Sequence, residues 1–293
     1  MQSGILVVDK PSGWTSHQVV GRCRRLLGTR KVGHAGTLDP MATGVLVIGV
    51  GRGTRLLGHL ALTTKTYEAT IRLGQATNTD DADGEVTQAT RAVAVSDAAI
   101  ESALDALRGD IVQVPSTFSA IKVDGKRAYA LARAGADVEL AGRPVTVSRF
   151  EVLARRAARA EVAVTDLDVA VECSSGTYIR ALARDLGASL GVGGHLTALR
   201  RTRVGGFDLA GALSPDELTA DPPQAPALMP LGEVARRSFA VVELTDDQAR
   251  DVGYGRPLSI TVPDDPTALL HQHDLLALYR PDGDRAVPVA VLA

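Results

Sequence analysis

The chain has 293 residues, 45% of them hydrophobic and 23% charged, with a formal net charge of -2. That is ordinary composition for a globular protein, and the length suits one large domain or a large domain with a small one. No apolar run approaches the roughly 20 residues of a membrane helix, and the start, MQSGILVVDKPSG, lacks the basic and long apolar regions of a secretory signal.

Taken in chain order, Ile5–Val8 reads as a strand ended by the turn Lys10-Pro11-Ser12-Gly13. Thr15 or Ser16 can cap a helix whose apolar positions are Val19, Val20, Cys23, Leu26 and Leu27, with Gly28 closing it. Residues 33–40 read as a glycine-rich loop, Gly44–Gly49 as a buried strand, and Arg55-Leu56-Leu57 as a short helix. Tyr67, Ala69, Ile71 and Leu73 alternate with polar residues, the mark of a half-exposed strand. Residues 75–90 read as a polar loop. Ser96 caps a helix through Ile100, Leu104 and Leu107. Asp124-Gly125 signals a tight turn before a helix through Tyr129 and Leu131. Val145–Leu153 and Val162–Val171 look like two long antiparallel strands, and Tyr178–Leu190 like a helix. Four prolines between Pro222 and Pro230 mark a linker, and short strand patterns occur after it at 240–242, 257–262, 274–280 and 287–292. The expected fold class is α+β, with a large mixed domain over residues 1–235 and a small β-rich module over 236–293.

The net charge is an average over unlike segments. Residues 1–60 carry +6, 61–110 carry -5, 111–210 carry +4 and 211–293 carry -7. Two basic segments are compatible with a polyanion partner, though charge alone slightly favours a solvated face on an Arg-rich protein. Cys23 and Cys173 make no CxxC and no zinc spacing, so both read as buried small hydrophobes in a reducing compartment.

The most informative stretch is Gly33-His34-Ala35-Gly36-Thr37-Leu38-Asp39-Pro40. Its glycines permit unusual backbone angles, and Pro40 restricts Asp39 to extended geometry. A carboxylate so held, between basic segments, suits a nucleophile or a base; an Asp-Pro turn is the plainer reading of the same residues. Arg180, in Gly176-Thr177-Tyr178-Ile179-Arg180, could keep a carboxylate ionised or simply lie on a helix surface. Three other signals fail. Thr79-Asp80-Asp81-Ala82-Asp83-Gly84 lacks both anchoring carboxylates of a calcium loop. Gly49–Gly53 has no phosphate-loop lysine, and the six histidines include no HExxH pair.

Several blocks in order complete the pattern: Asp9-Lys10-Pro11, the 33–40 stretch with Thr43-Gly44, Lys65-Thr66-Tyr67, Leu73-Gly74 with 79–84, Gly109-Asp110, Pro115–Ala120, Gly176–Arg180 and His195–Arg201. Together they resemble the bacterial TruB-type tRNA pseudouridine-55 synthases, strongly over residues 4–210. The resemblance implies a mixed-sheet pseudouridine synthase catalytic domain and a C-terminal PUA-like RNA-binding module. It also implies isomerisation of uridine 55 in the TΨC loop of tRNA, after flipping of the base. No group is lost in that reaction, so it needs neither cofactor nor metal. Asp39 matches the essential aspartate, Arg180 its partner, and Tyr67 the residue stacked on the target base. His34 matches the residue filling the space left by the flipped base, and Tyr178 and Leu199 match pocket-lining positions. Lys10, Arg22, Arg24, Arg25, Lys31, Arg52, Arg55, Arg200, Arg201 and Arg203 are candidate phosphate contacts. A cytoplasmic monomer acting on the TΨC stem-loop, with no membrane or metal partner, is the expectation. The rival readings are a synthase for another RNA and an RNA-folding chaperone that binds tRNA without catalysis.

Overall fold

The computed structural model describes residues 2–92, 95–119, 122–123, 126–127, 140–160, 162–222 and 224–292. Two compact units emerge, Met1–Leu62 with Arg203–Ala293, and Thr63–Thr202.

The first unit opens with strand β1 (Gly4–Lys10) and helix α1 (Ser16–Leu26). Thr15 is the cap: its hydroxyl accepts the Gln18 N–H while the Gln18 side chain accepts the Thr15 N–H, so two otherwise unpaired donors are satisfied. Val19, Val20, Cys23 and Leu26 recur at helical spacing and pack on Leu46 and Ile48. Strand β2 (Val32–Ala35) and strand β3 (Thr43–Val50) come next, with β3 antiparallel to both β1 and β2. The first three residues of the expected 33–40 loop are therefore strand. The glycine that suggested a turn serves close packing instead. Gly33 faces Gly49 across the ladder, and a Cβ on either would come within 3.0 Å of a Leu57 methyl. A 3₁₀ turn (Gly51–Leu56) and helix α2 (Leu57–Ala61) complete this stretch.

The second unit carries β4 (Lys65–Leu73), whose Tyr67, Ala69, Ile71 and Leu73 are all buried, as their alternation predicts. The expected loop at 75–90 contains a hairpin, β5 (Gln75–Thr77) with β6 (Val86–Ala89). Its strands are too short and too polar to leave a periodic signal. Helix α3 (Asp97–Asp105) is capped by Ser96 and ends two residues before Leu107. Next come β7 (Gly109–Gln113) and the two-residue strands β8 (Lys122–Val123) and β9 (Lys126–Arg127), which pair around the expected turn. Asp124-Gly125 itself, Ala120 and the helix expected through Tyr129 and Leu131 lie outside the described residues. Strands β10 (Arg143–Arg159) and β11 (Ala163–Cys173) form the predicted long antiparallel pair. Helix α4 (Ile179–Ser189) packs on β4 and α3. Within this unit the sheet order is β12-β4-β11-β10-β7, where β12 is Gly194–Val204.

The chain then returns to the first unit through β13 (Phe207–Asp208), α5 (Pro215–Thr219) and α6 (Leu231–Ser238). A second sheet comes after them, β14 (Val241–Glu243), β15 (Thr267–His271), β16 (Asp274–Asp282) and β17 (Arg285–Val291), with α7 (Asp246–Gly253) between its first two strands. The strand expected at 257–262 is a single bridge, Leu258 to Ala286. Strand alternation splits β15 between two cores. Ala268 and Leu270 join Ile5, Val7, Val45, Val47 and Val234, while Leu269 joins Val252, Leu258 and Tyr279. Each fully buried leucine contributes about 1.5–3 kcal/mol. The α+β class with a smaller β-rich C-terminal sheet is the class read from the sequence.

Candidate active site

In the first unit, Asp39 comes after the left-handed Gly36 (φ +73°) that turns the chain out of β2. Asp39 is half-buried and its loop is anchored by residues 10–16. The Ser16 hydroxyl donates to the Leu38 carbonyl at 3.1 Å and accepts the Leu38 N–H at 3.0 Å, holding both backbone groups of the residue before Asp39. The Gly13 N–H donates to the Pro40 carbonyl at 2.8 Å. The Lys10 ammonium donates to the carbonyls of Pro11, Trp14 and Pro40 at 2.9, 2.7 and 3.1 Å. His34 lies on β2, its ring edge-on to His17 with centroids 5.5 Å apart.

In the second unit, Arg180 is 4% exposed on the first turn of α4. Its guanidinium donates to the carbonyls of Thr79 and Phe118, both at 2.8 Å, and lies 3.5 Å from the Asp81 carboxylate. Asp81 is 5% exposed and in turn accepts from the Thr79 hydroxyl (2.6 Å) and the Asp83 N–H (3.1 Å). The 79–84 stretch that fails as a calcium loop is thus an arginine cradle. One turn along α4, Arg184 reaches Asp80 at 3.4 Å and the Val114 carbonyl at 2.7 Å. Asp80 sits at φ +61°, and burial pushes its carboxyl up against the opposing pull of Arg184 and Arg180. Tyr178, half-buried, precedes α4, and Gln113 at the end of β7 bonds to both of its backbone groups. Tyr67 is buried on β4 and Leu199 is buried on β12; Arg200 beside it is half-buried.

Several expected phosphate contacts bond to the chain's own carbonyls. Lys10 (0% exposed) and Arg201 (1%) are buried, so neither head group is open to a phosphate. Arg22 donates to the Leu218 and Ala220 carbonyls, Arg24 to Val32, Arg52 to Leu292 and Arg55 to Val291. Basic residues counted along a sequence do not reveal which of them already serve carbonyl oxygens. Gln113 carries no signal in the sequence, while Ser16 stands out only as a possible helix cap and Asp81 only as one acid of the 79–84 stretch.

Other titratable groups are structural. Burial pushes the Cys23 and Cys173 thiols up to about 11, so both are inert small side chains. Burial, with Arg201 nearby, pulls the Lys65 ammonium down to about 8. Among the described residues no three or more His, Cys, Asp or Glu are placed to hold a metal ion.

Comparison with known proteins bears on this arrangement. Residues 24–179 match the family model described as TruB family pseudouridylate synthase, N-terminal domain. Residues 180–222 match that of the tRNA pseudouridylate synthase B C-terminal domain. The tRNA pseudouridine synthase B of Cutibacterium acnes is 60% identical over 97% of this chain and 95% of its own. That of Nocardia farcinica is 58% identical over 99% of this chain and 93% of its own. Among solved structures, a chain of an H/ACA RNP bound to a substrate RNA containing 2′-deoxyuridine superposes with a TM-score of 0.71. It is 23% identical and covers 99% of this chain and 85% of its own length, a likeness of fold. The first model alone spans more than half of the chain, and the chain belongs to the TruB family of pseudouridylate synthases.

Proposed function

We propose that this chain isomerises uridine 55 of tRNA to pseudouridine. The observation that carries the reading is near-full-length identity of 60% to a tRNA pseudouridine synthase B, with the 33–40 and 176–180 blocks inside the matched region. The bond from the sugar to N1 breaks, the uracil turns, and the sugar bonds to C5. A proton leaves C5 and one is gained at N1, so the reaction balances with no other reactant.

Asp39 is the carboxylate of the reaction, as nucleophile on the nucleotide or as base on the sugar. Arg180 is its partner in the reaction, and Tyr67 stacks on the target base. The base must leave the folded TΨC loop, which costs a few kcal/mol. His34 offsets part of that by occupying the vacated space, and Tyr178 and Leu199 line the pocket. Arg200 contacts phosphate. Residues 236–293 serve as a PUA-like RNA-binding module, where the exposed Tyr254 carries the Arg256 guanidinium 5.1 Å from its ring centre. The protein acts as a cytoplasmic monomer.

Tritium release from unmodified tRNA carrying [5-³H]uridine tests the reading. Wild type releases label from the full-length transcript. A transcript with cytidine at position 55 releases none. Equal release from both transcripts would overturn the position assignment, and no release from either would overturn the activity.

A further inference from the structure

Helix α4 begins without a side-chain cap of its own. Its first backbone groups are held from another strand. Gln113, 2% exposed at the end of β7, lays its amide against the backbone of Tyr178. Its Oε1 accepts the Tyr178 N–H at 2.8 Å and its Nε2 donates to the Tyr178 carbonyl at 3.1 Å. That carbonyl also accepts the Leu182 N–H at 3.2 Å, the bond that opens the helix. A primary amide presents a donor and an acceptor side by side, as a peptide strand does, so a single buried side chain pins one residue as a sheet ladder would. Neither amide atom can turn to water, so rotation of this residue would leave buried polar groups unpaired.

Pinning Tyr178 also fixes the start of the helix that carries Arg180. Two positions on from Tyr178, the Arg180 head group is held by the Thr79 and Phe118 carbonyls and by Asp81. These bonds hold the tip of the arginine. Gln113 holds the backbone from which both the Tyr178 ring and the Arg180 side chain project. The segment it begins also supplies the Phe118 carbonyl to Arg180 and the Val114 carbonyl to Arg184, so the aim of α4 is set from residues 113–118.

We infer that Gln113 is a positioning residue for the pseudouridine synthase reaction, acting through the backbone of Tyr178 to aim Tyr178 and Arg180. The inference rests on the functional reading above for its consequence but not for its geometry, and two measurements separate these. The first is hydrogen exchange of the Tyr178 amide in Gln113→Met, which keeps the side chain's length and loses both bonds. Exchange rises at residues 178–180 while the rest of α4 stays protected. Unchanged exchange at Tyr178 overturns the clamp whatever the enzyme does.

The second is single-turnover tritium release by the same variant on unmodified tRNA. A displacement on the scale of an ångström in a reacting constellation costs about 10²-fold in rate. The expected result is a rate about 10- to 100-fold below wild type, with the tRNA concentration for half-maximal rate within about 3-fold. A wild-type rate, or a loss confined to tRNA affinity, overturns the positioning role. An inactive wild type overturns the functional reading instead, and the exchange result stands apart from it. If Gln113→Met does not fold, Gln113→Leu carries both tests, since it also removes both bonds to the Tyr178 backbone.

Discussion

The backbone beside Asp39 and the backbone beside Arg180 are held by one device at two different reaches. At the first, Ser16 straddles the N–H and carbonyl of Leu38 from 22 residues away in the chain. At the second, Gln113 straddles those of Tyr178 from 65 residues away, and the arginine head rests on Thr79 and Phe118 from 101 and 62 residues away. The Asp39 loop is a local structure that its own stretch of sequence completes. The Arg180 cradle exists only once β7, the 79–84 loop and α4 have come together. Damage to each region should therefore differ in kind: removing the carboxylate at the first leaves the backbone bonds of its loop in place, whereas removing one at the second takes away a buried partner of Arg180.

The largest effect tests the first half of that contrast. Asp39→Asn keeps the loop, because the bonds from Ser16, Gly13 and Lys10 go to the Leu38 and Pro40 backbone and not to the carboxylate. Tritium release should fall by about 10³-fold or more, as expected for loss of the reacting group. A variant that keeps full activity would sink the assigned mechanism.

Asp81→Ala breaks the second region. Removing one member of a buried ion pair costs about 3–5 kcal/mol, and here Arg180 would keep its two carbonyl partners but lose the Asp81 carboxylate. Urea denaturation should show about 3 kcal/mol of lost stability, together with a large loss of rate. Loss of rate at wild-type stability would mean that Asp81 is not bearing the buried charge.

The same contrast decides how much can be read from the sequence. The Asp39 loop is legible because its constraints are neighbours: Gly36, Pro40 and the Thr15–Gln18 cap lie within one motif-dense stretch. Long, strongly alternating strands such as β10 and β11 are legible because a period of two sustained over many residues arises in little else but a strand. The β5–β6 hairpin and β15 are not, being three to five residues long. Asp81 is visible as one of three acids in 79–84, yet its partner lies 99 positions onward, and no periodicity links them. Gln113 leaves no signal at all, since a lone glutamine at a strand end is ordinary until the strand has found its neighbours.

A smaller effect separates charge count from charge use. Lys10, a phosphate candidate by charge, is buried on three carbonyls. Lys10→Met should cost about 2–3 kcal/mol, since a buried acceptor that loses its partner costs about 1–3 kcal/mol. The slope of tRNA affinity against salt should not change. A phosphate contact would lower that slope by roughly 0.7–0.9, so a drop of that size in Lys10→Met would return the residue to the interface. Arg200→Ala, on a half-buried side chain, should show the drop that Lys10→Met lacks.

The smallest effect belongs to His195, 4% exposed, whose Nδ1 lies 2.9 Å from the Gln75 carbonyl. Burial lowers its pKa below the ordinary value of 6.5, against the opposing Gln75 carbonyl, and the Arg72 guanidinium adds to the lowering. Below 6.5 the unfolded chain takes up a proton at this site that the folded protein refuses, so unfolding binds protons and stability falls as pH falls. Above that range the contribution is fully present and flat. Thermal unfolding from about pH 7.5 down to about 5.5 should therefore show a decline in wild type that is shallower in His195→Asn, where no imidazole is left to charge. Because His195 binds the Gln75 carbonyl in the same unit as Arg180, a shallower decline would place one pH-sensitive brace in the unit that holds the cradle. Identical slopes in the two proteins would assign the acid sensitivity to other groups, and not to Asp80, whose carboxyl is pushed up by burial and therefore favours the folded protein as pH falls.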